Sequence, residues 1–210
     1  MKITKYVHSC LVVETDNRVG LMDPGVFSWE SGTFEVDMLP RLDDIIITHD
    51  HPDHLHLPFL QALVAAFPQA RISTLPSLAA KLQAIGFANV TSEQTADVQF
   101  FAAAHEPNEP LGPTPENTGV HYLEYLTDPG DSFQLSETKP ILALPLTAPW
   151  GALTHAAALA IDLKPRYILP IHDWHWNAAA RKQTYERLVS FFREQGITFV
   201  PLADGKPVEL

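Results

Sequence analysis

Cysteine is almost absent from this sequence of 210 residues: Cys10 is the only one, so no disulfide can form within the chain. A chain without disulfides is typical of the reducing cytosol. Long apolar runs are also missing. The first residues, MKITKYVHSCLVVE, lack the apolar core of about 7–15 residues that a secretory signal carries, and no apolar run approaches the roughly 20 residues that a membrane span requires. The sequence therefore predicts a cytoplasmic protein that has no membrane as its partner.

Positive charge is scarce as well. The chain has 14 Lys and Arg against 25 Asp and Glu, which gives a formal net charge of −11 and a pI near 5.2. Nucleic acids and anionic membranes attract basic surfaces, so a small-molecule substrate is the expected partner and nucleic acid is not. Hydrophobic residues make up 46% of the chain, enough for a substantial core. The length, without repeats or a linker-like stretch, predicts a single domain over residues 1–210.

Hydrophobic patterning predicts strands that alternate with helices. β-Branched and alternating runs predict strands at Lys2–Val7, Cys10–Glu14, Val19–Met22, Asp44–Thr48, Arg71–Leu75, Val98–Ala104, Val120–Thr127, Ile141–Leu146 and Arg166–His172. Helical patterns and caps predict helices at Leu57–Phe67, at Ser77–Gly86 with Ser77 as the cap, from Thr154 to just before Pro165, and from Asn177 to Gly196. This mixture predicts a layered α/β domain.

Histidine and aspartate are concentrated in one stretch, IITHDHPDHLHLP, at residues 46–58. His49 and His51 are two residues apart, so they project to the same side if the strand continues into them. Asp53 and His54 follow at a strand-to-helix junction. Imidazole and carboxylate are ligands suited to Zn, Fe or Mn. A solvated polar loop, or a histidine-rich tract with casual metal affinity, is the alternative; the ordered elements on both sides favour a metal site.

The segment THDHPDH matches the HxHxDH signature of the metallo-β-lactamase superfamily, and the resemblance continues in order along the chain. LMDPG resembles the first motif of that family, His105 at a strand end the third, PGDSF the fourth and LPIHDW the fifth. The resemblance implies a four-layer αββα sandwich of the metallo-β-lactamase type, with two mixed sheets flanked by helices. It also implies a metal-dependent hydrolase.

The family pattern assigns ligands for two divalent metal ions, with zinc expected first and Mn or Fe as alternatives. By resemblance, one ion is bound by His49, His51 and His105, the other by Asp53, His54 and His172, and Asp131 bridges them. A hydroxide between the ions would attack a small ester, lactone, amide or phosphodiester. Asp53 would orient this nucleophile or carry its proton.

Two further residues are assigned to the surroundings of the ligands. Asp23 would hydrogen-bond the ligand loop by resemblance; a plain turn residue in DPG is the alternative. His8, in VHSC, resembles a GHS or GHA element of the lactonase-like branch, the relatives of ascorbate-phosphate lactonase and the N-acylphosphatidylethanolamine phospholipase. The glycine is valine here, so a loop histidine is equally compatible. The remaining histidines are expected to be structural or solvated: His56, His121, His155 and His175.

The substrate residues are proposed from aromatic side chains in loops beside the motifs: Trp29, Trp150 and Trp174. The alternative is that they pack the loops or the interface of a homo-oligomer. No cluster of Lys or Arg adjoins the motifs, so no dedicated phosphate clamp is predicted. Asp131 and Ser132 occupy the region where the β-lactamases proper use a cysteine ligand, so β-lactam hydrolysis is not expected.

Three rival functions remain open. A nucleic-acid phosphodiesterase of the superfamily would usually carry a basic face and an additional domain. A diiron redox protein of the family commonly has glutamate in place of His51. A non-catalytic metal-binding module would keep the fold and lose the chemistry.

Overall fold

The computed structural model describes residues 1–210. The chain divides into two compact units, the first formed by residues 1–93 and 202–210, the second by residues 94–201. Each unit contains one β-sheet, and no helix in either unit has the length and apolar character that a bilayer-spanning helix needs. The single domain expected over residues 1–210 stays a prediction.

The first unit is built on a mixed sheet of seven strands. These are β1 (Lys2–Lys5), β2 (Leu11–Glu14), β3 (Val19–Met22), β4 (Asp44–Ile47), β5 (Arg71–Thr74), β6 (Val90–Thr91) and β13 (Lys206–Glu209). Their order is β13–β1–β2–β3–β4–β5–β6, with antiparallel pairing from β13 to β3 and parallel pairing from β3 to β6. The β-branched run of β4 is buried throughout, as expected for a central parallel strand.

The helices of this unit are α1 (Val26–Glu30), α2 (Leu57–Ala66) and α3 (Pro76–Ala84). The last two bury apolar residues against the sheet, whereas α1 buries only Ser28. Phe59, Leu63 and Leu82 belong to one buried cluster with Ile45 and Ile72 of the strands. The predicted cap of α3 was wrong: the helix begins at Pro76 with Leu75 at the cap position, because proline fits the first helical turn where no N–H partner is needed.

The second unit contains a mixed sheet of six strands. These are β7 (Val98–Ala102), β8 (Thr118–Tyr122), β9 (Leu126–Asp128), β10 (Ile141–Pro145), β11 (Tyr167–Ile171) and β12 (Thr198–Phe199). Their order is β12–β11–β10–β9–β8–β7, parallel from β12 to β9 and antiparallel from β9 to β7. Helices α4 (Leu153–Leu163) and α5 (Ala178–Glu194) bury Ala156, Leu188 and Phe192 in a cluster with the strands.

The predicted strand Val120–Thr127 is wrong in one respect. The segment is a hairpin, β8 and β9, that turns through residues 123–125. Leu123 takes a positive φ of 54° there. A turn without Gly, Pro or Asn carries no sequence signal. The fold class itself is confirmed: two mixed sheets, each flanked by helices.

Candidate metal centre

In the first unit, Asp23 and the histidine-rich loop follow the carboxyl ends of two adjacent parallel strands. Strands β3 and β4 are paired in parallel, with Met22 opposite Ile46. Asp23 follows the first strand directly, and Thr48 and His49 follow the second. Parallel strands end at the same edge of a sheet, where side chains from separate segments meet. The topology therefore places the Asp23 carboxylate beside the histidine-rich loop.

Asp23 is completely buried and accepts three hydrogen bonds. Its Oδ1 accepts from the Thr48 backbone N–H at 2.8 Å, and its Oδ2 accepts from Thr48 Oγ1 at 2.9 Å and from His54 Nδ1 at 2.6 Å. A carboxylate only accepts, so the proton of His54 is on Nδ1 and the lone pair is on Nε2. Metal-binding imidazoles in proteins are commonly oriented in this way, by a carboxylate that accepts the N–H of the ring nitrogen that does not bind the metal.

Thr48 also determines which ring nitrogen of His49 carries the proton. The hydroxyl has one proton, which it donates to the charged Asp23 carboxylate, so its oxygen accepts from His49 Nδ1 at 3.0 Å. His49 therefore also carries its lone pair on Nε2. The sequence analysis missed Thr48. Its position directly before the first histidine of the signature was the available signal.

The candidate ligands of the first unit lie close to one another. The ring centroids of His49 and His51 are 4.9 Å apart, and those of His49 and His54 are 4.0 Å apart. Ligand atoms of His8, Asp53 and His54 lie within 4.8 Å of one another. His8 Nε2 is 3.0 Å from Asp53 Oδ2. His8 therefore contacts a candidate ligand directly, and its role at the site stays a prediction.

Gly25 allows the DPG turn to touch the ligand loop. A Cβ at Gly25 would lie 1.7 Å from the carbonyl oxygen of Asp53, so only glycine fits. The contact is closed by two backbone hydrogen bonds, from Val26 N to Pro52 O at 2.8 Å and from His56 N to Pro24 O at 2.9 Å. The turn thus fixes the loop by its backbone as well as by the Asp23 side chain.

In the second unit, the candidate ligands follow three strands that end at one edge. Strands β7 and β9 run in the same direction because each is antiparallel to β8, and β9, β10 and β11 are parallel. His105, Asp131 and His172 come shortly after the ends of β7, β9 and β11. Asp131 Oδ1 lies 2.7 Å from His172 Nε2, and Asp131 Oδ2 lies 3.3 Å from His105 Nε2. All three side chains are buried.

The protonation of His105 follows from its backbone partner. His105 Nδ1 donates to the carbonyl oxygen of Glu106 at 2.5 Å, since a carbonyl only accepts. The other ring nitrogen, Nε2, lies 3.3 Å from Oδ2 of the Asp131 carboxylate. The donor set, imidazole nitrogen and carboxylate oxygen, fits a divalent metal ion.

His172 is held by a residue that the sequence analysis did not single out. Asp173 is fully buried and accepts a hydrogen bond of 2.5 Å from Tyr185 Oη in α5. Its Oδ2 also lies 3.7 Å from Arg181 Nη1. The turn that carries His172 is thereby fixed to α5. Asp173 follows the candidate ligand in HDW, but the sequence could not indicate its partner.

Backbone strain is found at candidate site residues. Six residues other than glycine have positive φ, and His8 (62°), Asp23 (48°) and His172 (58°) are among them. The left-handed region costs about 1–2 kcal/mol for a residue with Cβ. Such strain persists where surrounding contacts determine the conformation, and it concentrates at functional sites.

The three tryptophans proposed for substrate binding have different environments. Trp29 lies in α1 rather than in the expected loop, is 37% exposed, and packs against Phe59 at 5.3 Å between ring centroids. Trp174 is 50% exposed. Trp150 contacts the ligands of the second unit, and its Nε1 donates to Asp131 Oδ2 at 3.1 Å.

Two titratable side chains outside the candidate ligands, His121 and Cys10, are buried. His121 is buried, stacks on Phe101 at 4.6 Å, and lies 2.8 Å from Thr127 Oγ1 through its Nδ1. Burial, assisted by the charge of Lys139, lowers the pKa of His121. Burial raises the pKa of the Cys10 thiol to about 12, so this residue is a small protonated core side chain.

Comparison with known proteins gives a family. A family model described as a β-lactamase superfamily domain matches residues 2–172. Protein Rv0786c of Mycobacterium tuberculosis is 30% identical over 200 residues, covering 90% of this chain and 91% of that protein. A UPF0173 metal-dependent hydrolase of Anaeromyxobacter sp. is 30% identical over an alignment of 241 positions, covering 99% of this chain and 86% of that protein.

The fold is shared with solved structures. Igni18, a metallo hydrolase from the hyperthermophilic archaeon Ignicoccus hospitalis, superposes with a TM-score of 0.71 at 18% identity, covering 99% of this chain and 97% of that chain. The match spans nearly the full length of both chains, so it covers the elements that carry every candidate ligand. Sequence family and fold agree: the chain belongs to the metallo-β-lactamase superfamily, among its UPF0173 metal-dependent hydrolases.

Proposed function

We propose that the candidate ligands of the two units bind the same two divalent ions and that the protein hydrolyses a small molecule. The ligands are those of the family pattern: His49, His51 and His105 for one ion, Asp53, His54 and His172 for the other, and Asp131 for both. The observation that carries the proposal is the approach of two histidines to one carboxylate: His105 Nε2 lies 3.3 Å from Asp131 Oδ2, and His172 Nε2 lies 2.7 Å from Asp131 Oδ1. Imidazole nitrogens and carboxylate oxygens brought together in this way are donors that a divalent ion binds.

Zinc is the proposed ion, with Mn or Fe as alternatives, because the ligands are imidazoles and carboxylates without a thiolate. When bound, the ions would supply an acidified water and polarise the carbonyl or phosphoryl oxygen that is attacked.

Asp53 is the proposed proton acceptor. Its side chain is 26% exposed, whereas those of His49 and His54 are completely buried, so solvent reaches this candidate ligand. His8 Nε2, 3.0 Å from Asp53 Oδ2, would hold the carboxylate in one rotamer. Asp53 would take a proton from the attacking water and return it to the leaving group.

The proposed substrates are a small ester, lactone, amide or phosphodiester. The VHSC element, whose His8 contacts the candidate ligand Asp53, supports a function of the lactonase-like branch. The exposed Trp29 and Trp174 are proposed to contact the substrate, because exposed aromatic side chains beside a site bind apolar or ring-bearing groups. The net charge of −11 and the absence of a Lys or Arg cluster at the motifs argue against a nucleic-acid substrate.

We also propose a cytoplasmic location, because the single cysteine is buried and a chain without disulfides is typical of the cytosol.

The test combines metal analysis with a substrate screen. Purified protein is stripped with chelator, reconstituted separately with Zn²⁺, Mn²⁺ and Fe²⁺, and assayed against lactone, ester, amide and phosphodiester panels. The proposal expects two ions per chain and turnover with one panel in a reconstituted form only. Two bound ions without any turnover would favour a metal-binding module, and failure to bind metal would refute the site.

A further inference from the structure

Trp150 is held in a tight turn between β10 and α4. Ala148 and Gly151 exchange backbone hydrogen bonds of 3.3 and 3.1 Å across it. A Cβ at Gly151 would lie 2.9 Å from the Phe133 ring, so the absence of a side chain there lets Phe133 pack against the turn. The Phe133 ring also packs edge-on against Trp150, at 5.5 Å between centroids. The indole is therefore fixed from two sides.

The indole contacts all three candidate ligands of the second unit. Its Nε1 donates to Asp131 Oδ2 at 3.1 Å. Its ring lies edge-on to His105 at 5.8 Å and to His172 at 5.4 Å between centroids. An indole N–H is a donor only and cannot coordinate a metal ion. Because its Nε1 is hydrogen-bonded to Asp131, Trp150 does not offer that atom to a substrate.

We propose that Trp150 is a positioning residue for Asp131, and not the substrate-binding residue that its loop position suggested. The inference rests on the proposed function. The indole N–H occupies one lone pair of Oδ2 and so prevents rotation of the carboxylate about its χ2 angle. Oδ2 then keeps a lone pair on the side of His105, while Oδ1 faces His172. The hydrogen bond thereby holds the carboxylate in the orientation that offers one oxygen to each ion.

The N–H and the ring can be tested separately. Trp150→Phe keeps an aromatic ring against Phe133 and removes the donor. Trp150→Gln removes the ring and keeps a donor, because the glutamine Nε2 and the indole Nε1 are the same number of bonds from Cβ. Trp176→Phe is the matched control: Trp176 packs, partly buried, against the core of the same unit.

Zn²⁺ affinity is measured by titration of the stripped full-length protein against a competing chelator. Loss of a residue that orients a metal ligand typically costs about 10–100-fold in metal affinity, and this loss is expected for Trp150→Phe. Trp150→Gln is expected to stay within several-fold of the wild type, and Trp176→Phe to equal it. Circular dichroism of the stripped proteins establishes that each variant is folded.

Tryptophan fluorescence gives a second readout that does not depend on turnover. Zn²⁺ is expected to change the emission of the wild type and of Trp176→Phe, and to leave that of Trp150→Phe nearly constant. Wild-type affinity in Trp150→Phe, or an equal loss in Trp150→Gln and Trp150→Phe, would overturn the role of the N–H. Failure of the wild type itself to bind Zn²⁺ would instead refute the proposed function.

Discussion

The hydrogen bonds around Asp23 give a specific prediction, because exchanging one oxygen for an NH2 group replaces an acceptor by a donor. Asp23→Asn keeps the shape of the side chain and replaces Oδ2 by an NH2 group. That group would face His54 Nδ1 and Thr48 Oγ1, which both now donate to Oδ2 at 2.6 and 2.9 Å. The opposite orientation of the amide would place the NH2 group against the Thr48 backbone N–H instead. Neither orientation satisfies all three donors.

Asp23→Asn is expected to lower both the unfolding free energy and the metal affinity. Hydrogen bonds to a charged group contribute about 1.5–3 kcal/mol and neutral ones about 1 kcal/mol, so weakening two of them lowers the unfolding free energy by about 1–4 kcal/mol. The amide would also donate to His54 Nδ1 and move the imidazole proton to Nε2. Metal affinity should then fall by about 10–100-fold, which corresponds to about 1.4–2.7 kcal/mol.

The assay is a Zn²⁺ titration against a competing chelator, combined with thermal unfolding of the stripped protein. Asp43→Asn is the matched control, because Asp43 also accepts a backbone N–H, from Val19 at 2.8 Å, but lies before β4 instead of after it. The control should retain Zn²⁺ affinity. Wild-type affinity in Asp23→Asn, whatever happens to its stability, would refute the claim that Asp23 sets the protonation of His54.

Four further outcomes are expected. Asp131→Ala should lose bound metal and hydrolysis together, because in the proposed site one carboxylate serves both ions; a variant with full metal content and full activity would contradict the bridging role. His56→Ala should keep wild-type metal content by elemental analysis, and loss of metal would show that the ligand loop was misassigned. Gly25→Ala should lower the melting temperature and Zn²⁺ affinity, because its Cβ would lie 1.7 Å from the Asp53 carbonyl oxygen and overpacking costs about 1–3 kcal/mol or more. His121→Gln should flatten the pH dependence of unfolding below about pH 6.5: burial lowers the pKa of folded His121 from its ordinary value of 6.5, so the stability that neutral His121 contributes is present above pH 6.5 and is lost as the pH falls toward the lowered pKa.

Most of the strands and long helices were predictable because they depend on local pattern. Val19–Met22 was predicted to the residue, and α2, α4 and α5 lie within a few residues of the predicted bounds. The short helix α1 was missed because its five residues are too few for a periodic signal. The hairpin at Leu123 was missed for the same kind of reason, since the turn contains none of the residues that usually mark one.

The candidate ligands could be predicted because their chemistry and order along the chain are written in the sequence. The roles of their neighbours could not. Trp150 looked like any aromatic residue in a loop, and only its position against Asp131 shows that its N–H is already used. Gly25 has the pattern of an ordinary turn glycine in the sequence, and only the structure places the carbonyl oxygen of Asp53 against it.

The residue types, their spacing and the strand ends that they follow could be read from the sequence, and these are enough for the family and for a set of candidate metal ligands. The tertiary structure decided which nitrogen of His49, His54 and His105 carries the proton, since that depends on the acceptor each Nδ1 meets. For His54 the acceptor is 31 residues away along the chain. Hydrogen-bond partners across such separations are set by how strands pair and end, and no local pattern of residues encodes that pairing.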